Sequence, residues 1–107
     1  MNSGIAVVAL GALAHESRLA VFRLLVEAGP EGMTAGDIAH ALAIVPSSLT
    51  FHTKALQQAG LANRRRVSRQ IFYAADFSAM KELIEYLTRN CCGGAFDCEP
   101  ATARLRA

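Results

Sequence analysis

The stretch from Thr34 to Gly60, TAGDIAHALAIVPSSLTFHTKALQQAG, constrains this chain most. Thr34 stands where an N-cap is needed, and Asp37 three residues on can reach back to the freed amides. Ile38, Ala39 and Leu42 then recur at helical spacing. Residues 43–45 break the period. Pro46 suits the first turn of a second helix, where its missing N–H costs nothing. Leu49, Thr53 and Leu56 line one face of that helix, and Gly60 takes the C′ position. Two short helices across a three-residue turn form a helix-turn-helix, whose second helix enters a DNA groove. Away from its apolar stripe that helix presents Ser47, Ser48, Thr50, Phe51, His52, Lys54 and Gln57. Those groups donate to phosphates or touch base edges.

Charge placement points the same way. A net charge of +2 over 107 residues decides nothing by itself. Between Asp37 and Asp76, however, there is no carboxylate, and the interval holds Lys54, Arg64, Arg65, Arg66 and Arg69. A middle third with only positive charge is a footprint for a polyanion, here double-stranded DNA. The length argues for one domain spanning 1–107, and a hydrophobic content of 52% supports a packed core. Residues 5–14 end in an Ala-Leu-Ala resembling a signal-peptidase site, but no Lys or Arg precedes them, so no secretory leader is expected. No run reaches the length of a membrane span, so no membrane partner is expected.

The flanking segments complete the order. Residues 4–14 predict a first helix in which Ile5, Val8 and Leu13 cover an apolar surface, in the core or on a partner subunit. Residues 16–28 predict a second helix with Leu19, Phe22, Leu25 and Val26 inward. Arg18, Arg23 and Glu27 point outward, and the two arginines are either solvated or in contact with phosphates. After Gly60 the period becomes two, and residues 61–74 read as two short strands around a turn near Val67 and Ser68. A hairpin directly after such a helix is a wing, with Arg64, Arg65, Arg66 and Arg69 placed at its tip to meet phosphates or a narrow minor groove. Residues 76–90 predict a last helix capped by Asp76 or Ser78. Its stripe of Phe77, Met80, Leu83, Ile84 and Leu87 suits a dimer seam or the core. The expected fold is mainly α with a two-stranded β-hairpin, a winged helix-turn-helix.

Three cysteines, Cys91, Cys92 and Cys98, lie in CCGGAFDC near the C-terminus. An odd, clustered set is a poor disulfide framework and fits a reduced, cytoplasmic setting. The adjacent pair offers two thiolates to one soft ion, and Gly93-Gly94 lets the chain fold back to bring a third. Three sulfurs favour a trigonal ion such as trivalent arsenic. Zinc prefers four ligands, the fourth here being Asp97 or Glu99. Redox or persulfide sensing by the same thiols is the alternative. No phosphate-cradling loop precedes a helix and His15, His40 and His52 are scattered, so an enzyme is not expected.

The order of elements, with SRLAVFRLLVEAG, IVPSSLTFHTKALQQAGL and RQIFYAA, resembles the ArsR/SmtB family of bacterial metalloregulatory repressors over residues 8–90. The family's Ser-x-His-Leu is matched by Thr50-Phe51-His52-Thr53, with Thr for Leu at the last place. Ser68 stands in the wing where Gly is usual. The resemblance implies a homodimeric winged helix that blocks transcription at a palindromic operator and releases it when an inducer binds. Two recognition helices related by a twofold axis sit roughly 34–36 Å apart, one DNA turn. The region of Gly36 to His40 lacks the Cys-x-Cys of many arsenic sensors, and the last helix lacks the histidines of zinc sensors. Asn90-Cys91-Cys92 with Cys98 is similar to a smaller arsenic-responsive group. That similarity implies As(III) as inducer at Cys91, Cys92 and Cys98, with Sb(III) as a mimic.

Overall fold

The computed structural model describes residues 1–94. In chain order these form α1 (Ser3–Leu13), α2 (Glu16–Ala28), β1 (Met33–Thr34), α3 (Ala35–Leu42), α4 (Pro46–Gln58), β2 (Ala62–Val67), β3 (Gln70–Ala75) and α5 (Phe77–Thr88). A short 3-10 turn, Cys91–Gly94, follows. The helices close on one core in which Val21, Leu25, Ile38, Leu49, Leu56 and Leu61 are fully buried. Each such side chain contributes about 1.5–3 kcal/mol of burial.

The helix-turn-helix forms as its residues dictate. Thr34 Oγ1 accepts from the Asp37 amide at 3.1 Å and starts α3. Ala43, left-handed at φ 53°, ends it, and Ile44 N donates to Ala39 O at 3.0 Å. Pro46 opens α4. Gly60, at φ 78°, closes α4: Leu61 N donates to Leu56 O at 2.9 Å and Gly60 N to Gln57 O at 3.0 Å. This is a Schellman motif, and its apolar clasp is the buried pair Leu56 and Leu61.

The sheet has three antiparallel strands in the order β1-β3-β2, one more than the expected two-stranded hairpin. Met33 pairs with Tyr73 and Thr34 with Phe72. Two residues leave no periodic trace in a sequence. Gly32 permits the pairing: at φ 77°, a Cβ there would collide with the Tyr73 carbonyl oxygen.

Two helices bury different faces from those expected. In α1 it is Ala6, Ala9 and Ala12 that are buried, while Ile5, Val7, Val8 and Leu10 are exposed and Leu13 is half-buried. Alanines let this backbone approach α2 and α4 closely, leaving the larger side chains outside. In α2 the inward set is Val21, Phe22 and Leu25, and Leu19 is exposed. In α5, Asp76 Oδ1 accepts from Ala79 N at 3.0 Å. Leu83 is buried, Phe77 and Met80 are half-buried, and Ile84 and Leu87 remain open. Because α1 touches α5, two neighbouring helices expose large apolar side chains. Among the described residues no single helix is long and apolar enough to cross a membrane.

Candidate nucleic-acid interface

Helix α4 divides cleanly into two faces. Leu49, Thr53 and Leu56 recur at i, i+4, i+7 and are buried, anchoring the helix to α2 and α3. Thr53 stands where an apolar side chain would serve, but its hydroxyl donates to Thr50 O at 3.1 Å, so no buried polar group is left unmet. The opposite side presents Ser47, Ser48, Thr50, Phe51 and Lys54 to solvent. Thr50 Oγ1 donates back to Pro46 O at 3.1 Å, which fixes its rotamer and leaves its lone pairs outward. No side chain caps the start of α4. Its first-turn amides and the positive end of its dipole therefore face outward beside Ser47 and Ser48, a setting that favours phosphate oxygens.

The wing separates its arginines by strand alternation. Arg64 pairs across the ladder with Tyr73 and Arg65 with Phe72, so their side chains leave opposite faces of the sheet. Arg64 faces α4 and, with Thr50, Lys54, Gln57 and Gln58, lines an open groove of about 470 Å³. Arg65 turns away. Its NH2 group donates to Glu31 O at 2.6 Å and its guanidinium lies 5.1 Å from the Phe72 ring centre, bracing the wing on the α2–β1 loop. Arg66 Nε donates to Ser68 O at 3.3 Å and ties down the turn. Only Arg69 sits in that turn; the other three arginines run along β2 rather than at the tip. Ser68 adopts φ 58°, the left-handed conformation for which Gly is the usual residue.

His52 is set apart from its neighbours. It is half-buried against the start of α2, its ring centre 4.9 Å from that of His15 and 6.2 Å from that of Phe51. Burial first, then the nearby charges of His15 and Arg18, hold its imidazole below the ordinary value of 6.5. Of the expected contacts, Ser47, Ser48, Thr50, Phe51, Lys54, Arg64 and Arg69 lie open, Arg65 and Arg66 are exposed but bonded to the carbonyls of Glu31 and Ser68, and His52 is half-buried. Gln58, on the groove wall, was not anticipated. Its position one residue after Gln57 at the exposed end of α4 is the signal that could have found it.

At the far end, Cys91 and Cys92 follow α5, with their sulfur atoms 3.8 Å apart. Asn90 and Cys92 adopt positive φ, 58° and 53°. Cys98, the third expected ligand, and Asp97 and Glu99 lie outside the described residues. Among the described residues no group of three or more His, Cys, Asp or Glu is placed to hold a metal ion.

Residues 13–71 match the helix-turn-helix domain family. Over 91 residues the chain is 33% identical to the transcriptional activator HlyU of Vibrio cholerae, covering 85% of this chain and 82% of the relative. The chain belongs to the winged helix-turn-helix transcriptional regulators of the ArsR/HlyU type. It is a regulator, as its relatives are, and not an enzyme. The solved HlyU structure superposes with a TM-score of 0.68, covering 85% of this chain and 96% of that one. A form described as reduced HlyU, also 33% identical, gives 0.67 over 85% and 93%. An ArsR-like regulator from Rhodococcus sp. RHA1 shares the fold with a TM-score of 0.73 at 23% identity, covering 96% and 88%. The homodimeric winged helix-turn-helix domain Mb0332 of Mycobacterium bovis shares it at 0.64 and 19% identity, covering 90% and 89%.

Proposed function

We propose that the protein is a homodimeric, thiol-controlled repressor that binds a palindromic operator and releases it when As(III) binds Cys91, Cys92 and Cys98. The observation that carries the control is the pair of sulfurs 3.8 Å apart at the end of α5. That separation suits two thiolates sharing one soft ion. With all three thiols reduced, arsenous acid exchanges its three hydroxyls for three thiolates and releases three waters. The site lies where α5 gives way to the tail, next to the exposed Ile84 and Leu87. These two residues, with the outer face of α1, are the natural seam for a second copy. Reshaping the end of α5 there changes the spacing of the two α4 helices on the duplex. A coupling of about 1–3 kcal/mol would suffice, and DNA would weaken arsenic binding equally. Sb(III), with the same trigonal preference, acts as a mimic. Duplex DNA and reduced thiols meet in the cytoplasm, where we place the protein. HlyU is described as an activator; for this chain repression follows if its operator overlaps the promoter.

A second reading has its own support. A form of the relative HlyU is described as reduced, and adjacent thiols are the groups that such chemistry needs. On this reading two thiols become a disulfide, passing two electrons and two protons to an oxidant such as peroxide, and the same helix end is reshaped.

One assay separates the readings. A fluorescent operator duplex is released from the protein by arsenite, or by peroxide, or by neither. Release by arsenite that disappears in the Cys91→Ser, Cys92→Ser, Cys98→Ser triple variant supports the first. Release by peroxide alone, reversed by dithiothreitol, replaces it with the second.

A further inference from the structure

The two outward arginines of α2 have different surroundings. Arg23 pairs with Glu27, four residues on, at 3.6 Å. Arg18 makes no ion pair among the described residues, and Glu16 in the same helix turn does not hold it. Its guanidinium lies 5.7 Å from the ring centre of Phe51. Phe51 is 65% exposed on the outward side of α4. A half-buried cation of α2 is thus laid against an aromatic ring of the recognition helix. Stacking on a ring keeps the planar fork preorganised, and its terminal donors stay available to an anion.

The neighbours fit the same purpose. His15 caps α2, its Nδ1 accepting from Ser17 N at 3.2 Å, and so marks the positive end of a helix of 13 residues. Its ring packs against His52. Both Arg18 Nε and His52 Nδ1 are buried without a hydrogen-bond partner. We propose that Arg18, held on Phe51, and His52 beside it form a phosphate-binding corner that carries the duplex footprint from α4 onto the start of α2, and that phosphate binding there is coupled to protonation of His52. The proposal rests on the DNA-binding function above.

The coupling follows from what surrounds His52. Burial, His15 and Arg18, in that order, disfavour its charged form. Helix α1, also packed on α4, has no titratable side chain. Helix α3, with Asp37 and His40, and strand β2, with Arg64, pack on α4 too, but the charges acting on His52 are those of His15 and Arg18. A phosphate against Arg18 cancels part of that positive field, so His52 takes up a proton on binding. Affinity then rises as the pH falls through the titration of His52, by at most about tenfold per pH unit for each protomer.

The test is fluorescence anisotropy with a labelled mixed-sequence duplex, in salt and pH series, on folded variants checked by circular dichroism. Arg18→Gln lowers the log–log salt slope by about 0.9 per protomer and removes the proton uptake. Arg18→Lys, which keeps the charge, restores most of the slope. His52→Gln removes the uptake but keeps the Arg18 contribution to the slope. Arg23→Gln matches the parent in both. An unchanged slope in Arg18→Gln, or proton uptake that persists in His52→Gln, overturns the corner. If the parent protein shows no salt-dependent duplex binding at all, the DNA-binding function fails instead.

Discussion

Replacing Ile84 and Leu87 by Asn should turn a dimer into a monomer without unfolding it. These side chains keep 52% and 57% of their surface exposed. Full burial of such a side chain is worth about 1.5–3 kcal/mol, so covering the exposed half yields about 1 kcal/mol each. Ile5, Val7, Val8 and Leu10 add similar terms from α1. Over both protomers a twofold seam of these residues gains about 12 kcal/mol of burial. Association costs about 4–15 kcal/mol, so the surplus is small. Two substitutions per protomer remove about 4 kcal/mol, roughly a thousandfold in the dimer constant. Sedimentation equilibrium over a concentration series reads that shift directly. Because the residues are exposed within one chain, the circular dichroism of the variant should match the parent's. A dimer constant within tenfold of the parent's would show that the seam lies elsewhere.

Other consequences are as definite. Gly32→Ala should cost about 3 kcal/mol or more in a denaturant melt, because its Cβ collides with the Tyr73 carbonyl and its φ is 77°; a loss under about 1 kcal/mol would contradict the β1–β3 pairing. Arg64→Gln should lower the salt slope of duplex binding by about 0.9 per protomer, whereas Arg65→Gln, which loses the bond to Glu31 O, should leave the slope and shift the melting temperature. The folded-state pKa of His52 lies below 6.5, so the unfolded chain binds more protons in that window. Stability should therefore decline as the pH drops from about 6.5 through the folded-state value, and His52→Gln should flatten that decline in urea melts; an unaltered profile would remove His52 as its cause.

The reading helix was legible because each boundary has a residue with one local use: Thr34 as cap, Pro46 in the first turn, Gly60 as stop. Leu49, Thr53 and Leu56 then fixed the inward face. The third strand was not legible, since Met33 and Thr34 pair only because Gly32 lets β3 approach. The buried face of α1 was missed for a different reason. That helix is apolar on every side, so size suggested that Ile5 and Val8 go inward, whereas close packing selected Ala6, Ala9 and Ala12. Within the site, composition located the basic wing but not the direction of each arginine. Strand alternation sends Arg64 to α4 and Arg65 to Glu31, a distinction that depends on a register no local pattern sets. Arg18 was equally ambiguous until Phe51 appeared beneath it.

The most direct test of thiol control is a stoichiometric arsenite titration of the reduced protein on its fluorescent operator. Release complete at one As(III) per three-thiol site, and abolished when Cys91, Cys92 and Cys98 are all Ser, is the expected result. An operator that stays bound at saturating arsenite, or release undiminished in the triple variant, would contradict it.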